Sequence, residues 1–422
     1  MTTHKNFINF HILMSHSPSC LNRDDMNMQK TATFGGKTRV RISSQSLKRA
    51  IRKSAYYQEH FGESSIRTRQ LEALTSQFIE KLRDEFDPKL ITQTMELFVR
   101  SNVEQPESDD ESEQKGDDAG SSEKKKLAVA PWALEEIRLL CNILKDIKLT
   151  DEETKKTKEK ATKQKGKNKK TEQELIDEAL ADKRIKAVRT HTAQIRQAMG
   201  SALDIALSGR MATSGLMTSI DGALAVAHVL TTHAVEPQDV DWFTAVDDLV
   251  VDSGEVGAGH LDTQQFSAGV FYRYASLNLK QLQVNLGLIP TMTSAETPES
   301  RQRALEIAQH VCHLLSTVIP NAKQQSFAAH NLADFALVSF SDMPISLVNA
   351  FEKPVKPARD GGYLEPSIQG LAAYWGKINT FHSLAENAVV ASSLPLVDCP
   401  KALKQLAEMS AVEAWIGRDG QS

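Results

Sequence analysis

The segment Lys5–Ser15 restricts the fold more than any other part of this chain. Phe7, Asn9, His11 and Leu13 alternate with Ile8, Phe10, Ile12 and Met14, so both faces of an extended strand are largely apolar. A strand of that kind is stable only in the middle of a sheet that is covered on both sides. The chain therefore has to supply strands for either edge and a layer of helices or loops above and below.

The next distinctive stretch is Phe34–Lys53, FGGKTRVRISSQSLKRAIRK. Lys37, Arg39 and Arg41 are spaced by two, which on a strand puts them on one face, with Val40 and Ile42 on the other. Ser43 or Ser44 is suited to cap a helix beginning near Gln45. On that helix Lys48, Arg49, Arg52 and Lys53 fall on one arc, and Leu47, Ala50 and Ile51 on the opposite one. Free N-terminal amides, serine hydroxyls and a cationic outer face make an anion site. Gly35 and Gly36 provide a turn or a close approach to a ligand. A solvated amphipathic helix is the plainer account of the same residues.

Between these segments lies a loop, His16–Lys30, with the polar cluster Asn22, Arg23, Asp24 and Asp25. After them, residues 64–100 carry helical spacing at Leu71, Leu74, Phe78 and Leu82, with a further helix expected from Pro88 to Val99. Residues 102–126 are acidic and have no apolar anchors; residues 150–173 hold nine lysines from Lys155 to Lys170. Both read as disordered loops in a helical region spanning about 61–205. The lysine-rich one is either a solvated loop or a contact for phosphates or DNA.

Beyond the helical region, residues 222–235 favour a strand. Asp241–Val251 and Gln265–Leu279 form two arms of a hairpin about a glycine-rich tip. Pro298–Val318 is an amphipathic helix, Asp334–Phe340 a strand, and residues 366–378 and 401–416 are expected to be helical. The order strand, basic helix, helical insertion, strand, hairpin, helix, strand approaches the βαββαβ ferredoxin-like pattern of RNA-recognition domains. The aromatic fingerprint with which such sheets stack bases is missing from the sequence.

Composition bounds the function. A length of 422 residues with 41% hydrophobic and 25% charged residues suits a soluble, multi-part globular protein. The formal net charge is −4, so any nucleic-acid surface has to be local. The four cysteines are widely spaced and form no CxxC pair, which argues against a disulfide framework or a zinc site and fits a reducing cytoplasm. The N-terminus does not read as a signal peptide, and no apolar run is long enough to span a membrane. His228 with His233, and His310 with His313, lack a third ligand, so no metal is expected. Asp24 and Asp25 fit either a turn-capping pair or a site for Mg²⁺ that activates a hydroxyl. No Walker, GxSxG, HExxH or Rossmann motif occurs.

The run NFINFHILMSHSPSCLNRDDMNMQKTATFGGKTRVRISSQSLKRAIRKS resembles the N-terminus of the Cascade backbone subunit of type I-E CRISPR systems, the CasC family. LSGRMATSG (207–215), DGALAVAHVLTTH (221–233), FSAGVFYRYASLNL (266–279), SFSDMPISLVNAFEKPVK (339–356) and PSIQ (366–369) extend the likeness along the chain.

The resemblance implies an α+β protein with a modified ferredoxin-like, RNA-recognition-type palm, in three pieces at 1–60, 206–239 and 270–422. Helical fingers would occupy 61–205 and a β-hairpin thumb 240–269. It implies a non-catalytic, cofactor-free cytoplasmic subunit whose partners are CRISPR RNA, target DNA, copies of itself stacked head to tail, and other Cascade subunits. By motif, it carries RNA contacts onto Arg23, Lys30, Ser43, Gln45, Lys48, Arg49, Arg52, Met211, Lys353 and Lys356; Lys37, Arg39 and Arg41 join them from the basic strand. The competing reading is a metal-dependent RNA nuclease that uses Asp24 or Asp25.

Overall fold

The computed structural model describes residues 4–68, 71–100, 130–163, 171–191, 202–210, 219–243, 261–396 and 399–421. The chain divides into two compact units. The first comprises Met1–Gly62, Leu224–Gln283 and Thr293–Ser422; the second comprises Glu63–Ala223 and Val284–Met292.

The first unit opens with β1 (Phe7–Ser19), β2 (Thr31–Phe34) and β3 (Lys37–Ile42), then helices α1 (Ser44–Lys53) and α2 (Ala55–Phe61). β1 starts two residues after the expected Lys5 and runs four residues past the expected Ser15. β2 and β3 form a hairpin across Gly35 and Gly36, whose φ angles of 58° and 70° suit the two-residue turns that match strand twist. Gly35 also lies against the backbone of Glu352: a Cβ there would sit 1.8 Å from the Glu352 carbonyl oxygen. The close approach that its sequence allowed is thus to the protein's own chain.

In the second unit, β4 (Ile66–Thr68) pairs with β5 (Ala130–Trp132), and helices cover Leu71–Leu82, Pro88–Arg100, Leu134–Leu144, Asp151–Lys163, Glu172–Thr190 and Leu203–Ser208. Their apolar stripes meet in one core that includes Leu74, Phe78, Leu82, Ile91, Met95, Ile137 and Leu140. Glu136 and Arg210 form a fully buried, two-pronged ion pair with N–O distances of 2.8 and 3.0 Å. The acidic stretch 102–126 lies outside the described residues. The lysine-rich stretch, expected to be a loop, is helical over Asp151–Lys163. The reason is local: the Thr150 and Glu153 side chains bond to each other's backbone N–H as a capping box, and acids fill the first turn ahead of the lysines. Lys158 also pairs with Glu172 at 3.0 Å.

The first unit resumes with β6 (Leu224–Val226), β7 (Val229–Thr231), β8 (Gln238–Phe243), β9 (Leu261–Asn278), β10 (Phe335–Ser341), β11 (Asn387–Ser392) and β12 (Lys404–Leu406). These complete a ten-stranded sheet in the order β12-β11-β10-β1-β9-β7-β3-β2, with β6 and β8 also pairing to β9. β1 runs antiparallel to β10 on one side and β9 on the other, so it is central, as its two apolar faces demand. The four strands β10-β1-β9-β7, with the helices between them, are the ferredoxin-like core; β2–β3 and β11–β12 extend its edges. β8 and β9 are the described arms of the hairpin, in register from Gln238↔Phe266 to Phe243↔Leu261, and its tip lies outside the described residues.

One sequence expectation fails near the C-terminus: residues 404–406, expected to be helical, are a strand parallel to Asn387–Ser392, a segment to which the sequence assigned no element, so the last helix is only Met409–Gly417. β11 owes its state to the edge that β10 offers, and β12 to the edge of β11, rather than to a pattern of their own.

Both faces of the sheet are covered. Leu13, Tyr272, Tyr274, Phe335, Leu337 and Val390 pack against Ile368, Leu371, Ala372 and Trp375 of the Leu364–Phe381 helix. On the other face, buried Arg273 donates to the Leu315 and Val318 carbonyls at the end of the Pro298–Thr317 helix, at 3.0 and 2.7 Å. Desolvation lowers the Arg273 pKa to about 10. The result is helix, sheet and helix in three layers. The sheet face that RNA-recognition domains use for base stacking is therefore filled by the protein's own helix.

Candidate nucleic-acid interface

The site is built around α1. Ser43 is its N-cap, as the sequence suggested, and its Oγ accepts the Ser46 N–H at 3.2 Å. The Ser43 N–H in turn donates to Asn22 Oδ1 at 2.8 Å, which ties the 20–30 loop to the helix. Leu47 and Ile51 are buried and fix the inner face of α1. Around the rest of its circumference, at about 100° per residue, come Lys48, Arg52, Gln45, Arg49 and Lys53 in angular order. Gln45, Arg49 and Lys53 are exposed, and Lys48 and Arg52 half-buried. Ala50, assigned to the core arc from its spacing, lines a surface cleft instead.

The helix N-terminus is less open than its sequence implied. The Ser44 N–H donates to His228 Nδ1 at 3.1 Å, and the Ser46 N–H is taken by Ser43. Burial and the nearby Arg41 guanidinium lower the His228 pKa, which favours the neutral ring whose Nδ1 accepts that bond. The sequence singled out His228 only as a candidate metal ligand with His233; in the structure it lies directly before β7, which pairs with β3.

Arg39 is the principal correction. Alternation placed it with Lys37 and Arg41 on an RNA-facing surface, but it is fully buried. Its guanidinium donates to the carbonyls of Thr231 (3.0 Å), Phe351 (2.9 Å) and Glu352 (3.3 Å), and lies 5.7 Å from the centre of the Phe34 ring. Burial lowers its pKa. Arg39 instead anchors the loop that follows Phe351, and the Val355 N–H fastens the same loop to the Thr232 carbonyl at 3.1 Å. Lys353 and Lys356 on that loop are exposed, as is Lys37 at the end of the hairpin, and Arg41 is half-buried.

The loop before β2 is held as firmly. The Lys30 N–H donates to the Asn22 carbonyl and the Arg41 N–H to the Lys30 carbonyl, at 2.9 and 2.8 Å. Arg23 Nη1 donates to Asn27 Oδ1 at 2.8 Å. Asp24 Oδ1 accepts the N–H groups of Met26 and Met28, both at 2.9 Å, which is the turn-capping role. Asp25 is exposed. Among the described residues, no group of three or more His, Cys, Asp or Glu side chains is placed to hold a metal ion. Met211 lies outside the described residues.

Arg23 and Arg49 are brought together at a cleft of about 730 Å³, between the 21–27 loop, the Ser46/Arg49/Ala50/Lys53 stripe of α1 and residues 318–322. The structure thus brings the 20–30 loop and α1 together at this cleft, and leaves Lys37, Lys353 and Lys356 exposed on the hairpin turn and on the loop that Arg39 anchors. That arrangement suits a chain of phosphates rather than one small anion.

Residues 8–415 match the model of the CT1975-like protein family, Cas_CT1975, and the chain belongs to that family. No curated protein matches. Among solved structures, a chain of a CRISPR RNA-guided surveillance complex captured before nicking is similar, with a TM-score of 0.67 and 25% identity over 98% of this chain and 100% of that one. A chain of another CRISPR RNA-guided surveillance complex shares the fold with a TM-score of 0.54 and 19% identity, over 98% of this chain and 99% of that one. No helix among the described residues is long and apolar enough to cross a membrane.

Proposed function

We propose that this chain is the backbone subunit of a Cascade-type complex: it binds CRISPR RNA without cleaving it, stacks head to tail along the guide with copies of itself, and presents the guide for pairing with target DNA. The observation that carries the reading is the set of cations on α1 and the 20–30 loop, of which Arg23, Arg49 and Lys53 share one cleft, in a chain of this family. The covered sheet adds to it. With no open aromatic face, the protein has phosphates, ribose hydroxyls and shape left to recognise, and a subunit that coats unrelated spacers needs just those. A type I-E assignment and a cytoplasmic location go with the same reading, on the strength of the N-terminal motif.

The test is to purify the assembly from cells that express a CRISPR array, treat it with nuclease and sequence the protected RNA. Guide RNA in stoichiometric amount is the expected result; an assembly that persists without RNA contradicts it. Cleavage by Asp24 or Asp25 has less support, because Asp24 already serves its own turn. Regular cleavage of complementary RNA in Mg²⁺, lost in Asp25→Ala, would establish it.

A further inference from the structure

The cleft beside α1 contains more than the RNA-contact set requires. Lys53, Arg49 and Arg23 line it together with Asn321 and His330. Its one acidic side chain is Asp24, whose Oδ1 is turned onto two backbone N–H groups. Among the described residues, no carboxylate pairs with Arg49 or Lys53. Three cations against one committed carboxylate leave the cleft positive, with no protein group to neutralise it. A volume of about 730 Å³ lies within the ~300–1,000 Å³ range of small-molecule sites, which is far more than a lone ion needs. Arg49 stands between the outer arc of α1 and the cleft, so a strand crossing Lys48, Arg52 and Gln45 reaches the cleft without a break.

We propose that the cleft receives one sugar–phosphate unit of the guide RNA. Arg49, Lys53 and Arg23 hold its phosphate, and Asn321 and His330 face its ribose hydroxyls. This rests on the RNA-binding reading and adds Lys53, Asn321 and His330 to Arg23 and Arg49, the contacts that the family motifs carry. Asparagine and histidine offer both donors and acceptors to a 2′-hydroxyl, which suits RNA over DNA.

The test uses the assembled complex on its guide. Asn321→Cys, in a Cys399→Ser background because Cys399 is the one native cysteine not buried, carries a short thiol-linked photocrosslinker. Crosslinking to the guide RNA is expected. Lys53→Gln should weaken RNA binding several-fold and reduce the log–log salt slope by about 0.7 per lost phosphate contact, with the melting temperature unchanged. No crosslink at 321, and full affinity in Lys53→Gln beside weakened binding in Lys48→Ala, would place the cleft off the RNA path while leaving the RNA-binding reading intact. A crosslink to the target DNA strand also overturns the proposal. Unaltered binding in Lys48→Ala as well would bring down the underlying reading itself.

Discussion

Replacing Arg39 separates a structural arginine from an RNA contact. In Arg39→Ala the carbonyls of Thr231, Phe351 and Glu352, the first two of them in buried bonds, lose a charged donor. Hydrogen bonds to charged groups contribute about 1.5–3 kcal/mol each, so the two shorter ones are worth about 3–6 kcal/mol together. Against this stands the desolvation of a guanidinium buried without a carboxylate, a cost that its lowered pKa reflects and that the variant no longer carries. The net expectation is a loss of about 2–4 kcal/mol. Urea denaturation followed by tryptophan fluorescence measures it, since Trp375 and Trp415 are both buried in the first unit. RNA binding should fall as well, because the loop bearing Lys353 and Lys356 loses its anchor. Arg39→Lys should not rescue, as an ammonium cannot reproduce the planar fork. An unchanged denaturation midpoint together with a salt slope lowered by one contact would refute the reasoning and return Arg39 to the RNA-facing surface.

Other outcomes follow from the same geometry. Gly35→Ala should destabilise the first unit by about 2–3 kcal/mol and Gly36→Ala by about 1 kcal/mol, both having positive φ but only Gly35 facing a carbonyl; denaturant midpoints compare them. His11 and His16 are buried, and desolvation lowers each pKa to about 3. A depressed folded pKa means that the unfolded chain takes up the proton first, so stability is complete above the unfolded value of about 6.5 and declines as pH falls toward 3. His16→Gln should remove about 1.4 kcal/mol per pH unit of that decline, measured by denaturation between pH 6.5 and 4.5. Glu136→Gln removes the carboxylate charge from the buried pair with Arg210 and should cost the second unit about 3–5 kcal/mol by thermal or chemical unfolding.

The elements that the sequence revealed are those whose pattern is local. Phe7–Ser19 declared itself by two apolar faces, α1 by Ser43 and the Leu47/Ile51 stripe, and the Pro298–Thr317 helix by its periodicity. What escaped depends on distant chain. Period-two alternation grouped Arg39 with Lys37 and Arg41 correctly as one face, but that a loop more than three hundred residues later covers the middle of that face is not a property of the strand. Asn387–Ser392 and Lys404–Leu406 are too short to announce themselves; the first follows the edge of β10 and the second the edge of the first. The Asp151–Lys163 helix was within reach: Thr150 and Glu153 spell a capping box, but the absence of apolar anchors outweighed it.

The central claim is that the protein grips RNA by its backbone and does not read its bases. Its most direct test is a titration of the assembly against guide RNAs of unrelated spacer sequence over a range of salt concentrations, for the native chain and Lys48→Ala. The account predicts equal affinities across sequences, a linear log–log dependence on salt, and a slope reduced by about 0.7 per lost phosphate contact in the variant, again independent of sequence. A preference for particular bases that disappears with Lys48 would contradict it.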